Sequence, residues 1–152
     1  MLPGTSERVP AHTSPHVNRR IEQETAASVR HHAAHPRLIE RRLRELDAEW
    51  DMERTLEANA ATIALAGTVL GILVDKRFLA VPVAVTAFLL QHALQGWCPP
   101  VGFFRRRGVR TMREIDTERF ALKALRGDFG PIGPGPRNRD DRASHALMAA
   151  RL

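Results

Sequence analysis

Two long uncharged stretches separated by three residues constrain this chain more than any other feature. Ala58–Val74 (ANAATIALAGTVLGILV) runs for 17 residues without a charge, Asp75-Lys76-Arg77 follows, and Phe78–Cys98 (FLAVPVAVTAFLLQHALQGWC) adds 21 more. As helices they would measure about 26 Å and about 31 Å, against a bilayer hydrocarbon core of about 30 Å. A backbone in lipid must satisfy its polar groups within the segment, so two such stretches joined by so short a turn are expected to form a helical hairpin. Pro82 falls in the first turns of the second stretch, where a missing N–H costs least. The whole-chain averages hide this pattern. A hydrophobic fraction of 43% and a mean hydropathy of -0.28 suit a soluble protein. The aliphatic residues, however, are concentrated between Ala58 and Trp97, whereas a globular core draws on the whole chain. The expected fold class is therefore all-α: a membrane hairpin of two transmembrane helices with flanking cytoplasmic amphipathic helices and disordered termini.

The flanks divide further. Residues 1–35 carry Pro3, Pro10 and Pro15 and few large apolar side chains, so burial cannot offset the cost of ordering them. They are expected to be a mostly disordered tail, with room for a short helix near Ile21–Val29. They hold no apolar run of about seven residues, so insertion is expected to fall to the internal block rather than to a cleavable signal. From Pro36, Ile39, Leu43, Leu46 and Trp50 recur at helical spacing, which predicts an amphipathic helix over 36–56. No Pro or Gly separates it from the hairpin, assigned to 57–98, which leaves it free to run straight on. Pro99-Pro100 ends the second span, and 99–129 is expected to be a basic linker and a short helix. That helix would open with the capping box Thr111-Met112-Arg113-Glu114 and close at Gly127, with Met112, Ile115, Leu122 and Leu125 on one face. The Pro/Gly-rich remainder, 130–152, is expected to be mostly disordered.

Net charge is +6, with a pI near 11.1. Arg41, Arg42, Arg44 and Arg54 precede the first stretch, and Arg105, Arg106, Arg107, Arg110 and Arg113 follow the second. The connector holds Lys76 and Arg77 beside Asp75. The positive-inside rule then places both termini in the cytoplasm. Trp97, Phe103 and Phe104 beside Arg105–Arg107 make an aromatic belt next to a cationic anchor, with Arg105, Arg106, Arg107 and Arg110 expected to meet lipid headgroups. The basic residues flank an apolar block and lack an interleaved stacking platform, so nucleic acid is not an expected partner.

Few residues suggest chemistry. Gly67 and Gly71 form a GxxxG, with Ala60 and Ala64 continuing the small-residue row, suited either to the hairpin's own packing or to a homodimer. His92, between Gln91 and Gln95, is the polar intramembrane candidate, close enough to the boundary to reach the interface. Cys98 is the single cysteine, which excludes an internal disulfide and a thiolate zinc cage. The arginines after it would activate the thiol if they folded close; the plain reading is a small apolar residue at a helix end. His12, His16, His31, His32 and His35 lack carboxylates or thiols at ligand spacing and are read as solvated. No catalytic set, metal site or cofactor motif is recognised, and neither enzyme activity nor a cofactor is expected.

The stretch Leu89–Arg110 (LLQHALQGWCPPVGFFRRRGVR), with Gly96-Trp97-Cys98-Pro99 and the basic continuation to Gly108, resembles the end of the YgaP-like transmembrane family. The likeness extends over roughly Leu56–Arg110. It implies a bacterial inner-membrane hairpin that tends to dimerise and is sometimes fused to a rhodanese domain. The only cysteine here belongs to the membrane motif, so sulfur transfer is not carried over. The leading expectation is a multi-pass bacterial inner-membrane protein acting as a non-enzymatic anchor or accessory subunit. Its partners would be the lipid bilayer and a second copy or another membrane protein. The alternatives are a membrane-tethered thiol protein working through Cys98 and a soluble helical oligomerisation module.

Overall fold

The computed structural model describes residues 5–129. Within them the chain is helical and has no strand. Its helices are α1 (Thr5–Ala11), α2 (Pro15–Ala34), α3 (Ile39–Ala48), α4 (Met52–Leu73), α5 (Ala80–Gln95), α6 (Pro99–Arg106) and α7 (Met112–Arg126). Short 3-10 turns cover Pro36–Leu38 and Lys76–Leu79. The chain divides into two compact units. One takes the residues up to Glu24 with Glu49–Ile115; the other takes Thr25–Ala48 and the residues from Asp116 on.

The first unit contains the hairpin. α4 and α5 are both long and apolar enough to cross a membrane when α5 is counted with its preceding 3-10 turn. The turn between them closes tightly. The Val74 and Asp75 amides both donate to the Leu70 carbonyl, and the Asp75 carboxylate accepts the Arg77 amide at 2.8 Å. Close approach of the two helices depends on Gly67 and Gly71. A Cβ at Gly67 would stand 2.9 Å from atoms of Val81 and Pro82, and one at Gly71 only 2.5 Å from Leu79. Ala60 and Ala64, half-buried, continue the same row. Within this chain the small residues at Gly67 and Gly71 thus serve the hairpin's own packing.

Several segments depart from expectation. Residues 5–35 carry α1 and the whole of α2, where a mostly disordered tail with a short helix near Ile21–Val29 was expected, and Val9, Val17 and Ile21 are buried. Ser14-Pro15 begins α2, with Pro15 where the missing amide is harmless. The amphipathic helix does not run into the hairpin. It stops at Ala48, and Asp51 starts α4 afresh by accepting the Arg54 amide at 2.8 Å. Trp50 consequently leaves the apolar stripe and is 48% exposed. Pro99 and Pro100 end no helix; they begin α6, so part of the expected linker is helical. The capping box is present, with Thr111 N–H donating to Glu114 and Glu114 N–H to Thr111. The expected disorder of 130–152 lies outside the described residues.

In the second unit Ile39, Leu43, Leu46 and Leu122 are buried. Glu118 interrupts that apolar set and is fully buried. Its carboxylate accepts Arg42 Nε at 2.8 Å and Nη2 at 3.1 Å, and Ser28 Oγ at 2.6 Å, so the buried charge is met by a cation and a hydroxyl.

Candidate functional site: the base of the hairpin

Where α5 ends, the chain makes a corner from which a helical base is built. Gly96 adopts φ 73°, and its amide closes α5 on the His92 carbonyl. A side chain at Gly96 would also collide with Arg8, whose guanidinium donates to the Ala93 carbonyl at 2.8 Å, so glycine lets α1 lie against this end of α5. Cys98 occupies the N-cap position of α6 and Pro99 its first turn. The Gly-Trp-Cys-Pro motif is therefore a helix–turn–helix corner: Gly96 stops one helix, Cys98 turns inward, and Pro99 starts the next. Trp97 stays 37% exposed.

Cys98 is buried with Val9, Met52, Leu56 and Val101, and Phe104 and Val109 pack against this cluster. Burial pushes its thiol above the ordinary value; the Val101 amide opposes the rise and the Glu53 carboxylate adds to it. The buried thiol fits the plain reading of a small apolar residue at a helix end, and the first arginine of the basic run is committed elsewhere.

That arginine is Arg105, whose exposure is 1%. Its guanidinium makes a two-point contact with Glu114 at 2.7 and 2.8 Å. It also donates to Asn18 at 2.8 Å, to the Val109 carbonyl at 3.1 Å and to Thr13 at 3.2 Å. All three guanidinium nitrogens are used, which is what allows the charge to sit inside. Burial raises the Glu114 carboxyl, but hydrogen bonds from Arg105 and Thr111 outweigh it and hold the group below the usual carboxylate range. Arg110 is buried too. It contacts Glu49 through Nε at 2.8 Å and Nη2 at 2.6 Å, while its carbonyl accepts the Met52 amide at 2.8 Å. Arg105 and Arg110 were expected to anchor headgroups; both are instead interior tie-points, and of that set only Arg106 and Arg107 are exposed.

His92 is 5% exposed and is the only buried residue of α5. Its Nε2 lies 3.0 Å from Glu53 on the first turn of α4, pinning the mouth of the hairpin. Its Nδ1 has no partner among the described residues. His92 thus joins the two helices at their base and does not sit alone in the middle of a span. No group of three or more His, Cys, Asp or Glu side chains among the described residues is placed to hold a metal ion.

Sequence reasoning missed Arg105–Glu114, Arg110–Glu49 and Arg42–Glu118. It also missed Glu53 as the partner of His92, although a carboxylate in the first turn after an Asp N-cap is a visible signal. No family model, curated protein or solved structure matches the chain.

Proposed function

We propose that the chain is a small integral membrane protein of the bacterial inner membrane. α4 and α5 cross the bilayer and both ends lie in the cytoplasm. In this reading it acts without catalysis, as an anchor or accessory subunit whose helical base meets its partners. The observation that carries the proposal is the outward apolar surface of the hairpin. Leu65, Ile72 and Leu73 on α4 are 67%, 73% and 76% exposed, and Val83 and Leu90 on α5 are 68% and 61%. A soluble helix turns such residues inward along one stripe. Here the inward stripe is the small one, and the large aliphatics remain for another apolar medium. The uncharged part of α4, Ala58–Leu73, spans about 24 Å, the short end of what crosses a hydrocarbon core.

Orientation follows from the number of Lys and Arg near the ends, which pairing with acids alters little. The bilayer suffices to cover the outer faces, since Gly67 and Gly71 are already filled by α5. A thiol-exchange role through Cys98 gains no support, because the thiol is 3% exposed and its pKa is raised. Reporter fusions test the proposal. A phosphatase fused after Asp75 should be active, and one fused at either end should be silent. Activity at an end with silence after Asp75 would refute the orientation.

A further inference from the structure

The arginines near the hairpin's mouth fall into two classes. Arg105 and Arg110 are buried against Glu114 and Glu49. Arg54, Arg106 and Arg107 are exposed and have no acidic partner among the described residues. Two of these three lie on exposed aromatic rings: Arg54 Cζ is 4.4 Å from the ring centre of Trp50, and Arg107 Cζ is 4.3 Å from that of Phe103. Trp50 is 48% exposed and Phe103 52%. A guanidinium held over a ring rather than against a carboxylate has N–H groups left to give, and these match two oxygens of a phosphate. The ring beneath is of the kind that settles at headgroup depth.

The two stacked pairs belong to one rim. Arg110 ties them together, because its guanidinium holds Glu49 and its carbonyl holds the Met52 amide, one residue to either side of the Trp50-Asp51 turn. Arg107 lies three residues before Arg110, at the end of α6. The rim's depth is fixed by Glu53, next to Arg54, which reaches His92 one turn before the end of α5. Glu53 is thereby engaged although it stays exposed, and Glu57, one turn further along α4, is exposed as well.

We propose that this rim, formed by Trp50, Arg54, Phe103, Arg106 and Arg107, binds the phosphate headgroups of anionic phospholipids in the cytoplasmic leaflet. The proposal rests on the hairpin being membrane-inserted and adds a lipid preference to it. Each free arginine contributes about a fivefold preference for an anionic surface at moderate salt, and the effect fades as salt shortens the screening length.

The test uses the full chain reconstituted into bilayers of phosphatidylcholine containing a trace of spin-labelled lipid. The motionally restricted fraction is compared for labelled phosphatidylglycerol and labelled phosphatidylcholine. The native protein should enrich phosphatidylglycerol severalfold at its boundary, and added salt should reduce the enrichment. Combined Arg54→Gln, Arg106→Gln and Arg107→Gln should abolish it with helicity intact, since these side chains hold no ion pair among the described residues. Arg41→Gln with Arg44→Gln, which removes exposed but ion-paired charge from α3, should leave it in place. Equal restriction of both lipids by the native protein would overturn the proposal, as would a preference that survives the triple substitution. A rim that retained single-stranded oligonucleotide but showed no lipid preference would overturn it in favour of nucleic acid. Failure of the native protein to enter bilayers at all would instead refute the membrane reading on which it stands.

Discussion

Along the outer part of α4 and α5 the residues turned inward are Gly67, Gly71, Val81 and Pro82, while Leu65, Ile72, Val83 and Leu90 face out. At the base of the same two helices the pattern changes. There Met52, Leu56, Cys98 and Val101 are inside together with a fully hydrogen-bonded Arg105, and Arg54, Arg106 and Phe103 are outside. The hairpin gains nothing from hiding its aliphatics if hydrocarbon already surrounds them, so it is packed by backbone proximity at glycine. The base follows the rule for water: apolar side chains inside, and charges inside only as complete pairs. One continuous pair of helices thus carries two packing regimes, and the change occurs near Glu53–His92.

Substitutions can break this contrast. The largest effect is expected from Arg105→Met, which strands Glu114 in the base and should cost about 3–5 kcal/mol in thermal unfolding in mild detergent. The neighbouring exposed Arg106→Met should change stability by no more than about 0.5 kcal/mol. Similar values for the two would erase the distinction between interior and rim arginines. Next comes Gly71→Leu, whose side chain has nowhere to go beside Leu79. It should cost about 1–3 kcal/mol through overpacking, visible as faster proteolysis of the Asp75 turn. Ile72→Ala, one residue away but 73% exposed, should leave that rate unchanged.

Acid should reproduce the Arg105 effect gradually. Because the folded-state pKa of Glu114 is depressed below its ordinary 4.5, its contribution is fully present above that value and is lost as pH falls through the lower folded value. The unfolding temperature should therefore drop on acidification from pH 5, and Glu114→Gln should flatten that part of the curve. The smallest expected effect is Asp51→Ala, which removes the N-cap of α4 and should cost about 1 kcal/mol. It should show as earlier hydrogen exchange at the Arg54 amide.

What was readable in the sequence was local. The two uncharged stretches, the Thr111–Glu114 capping box, the Gly127 stop and the Ile39-Leu43-Leu46 stripe all depend on residues within a turn or two of one another. The arginine partners were hidden because they are distant in the chain: Arg110 and Glu49 are 61 positions apart, and Arg42 and Glu118 are 76. α2 is longer than the short helix expected near Ile21–Val29 for a related reason. Its few apolar residues suggested that ordering could not be offset, yet Asn18 and Ser28 contribute hydrogen bonds to Arg105 and Glu118 that no periodicity shows. Ser14-Pro15 and Asp51, by contrast, are local helix starts that carry no apolar spacing.

The central claim is that the hairpin's outward aliphatics face lipid. It is tested most directly by fractionating cells that express the tagged protein at native level and washing the membranes with alkaline carbonate. The account predicts that the protein stays in the membrane pellet. Release into the supernatant as a discrete, detergent-free assembly would contradict it, and would mean that the exposed faces of α4 and α5 are buried against other protein helices.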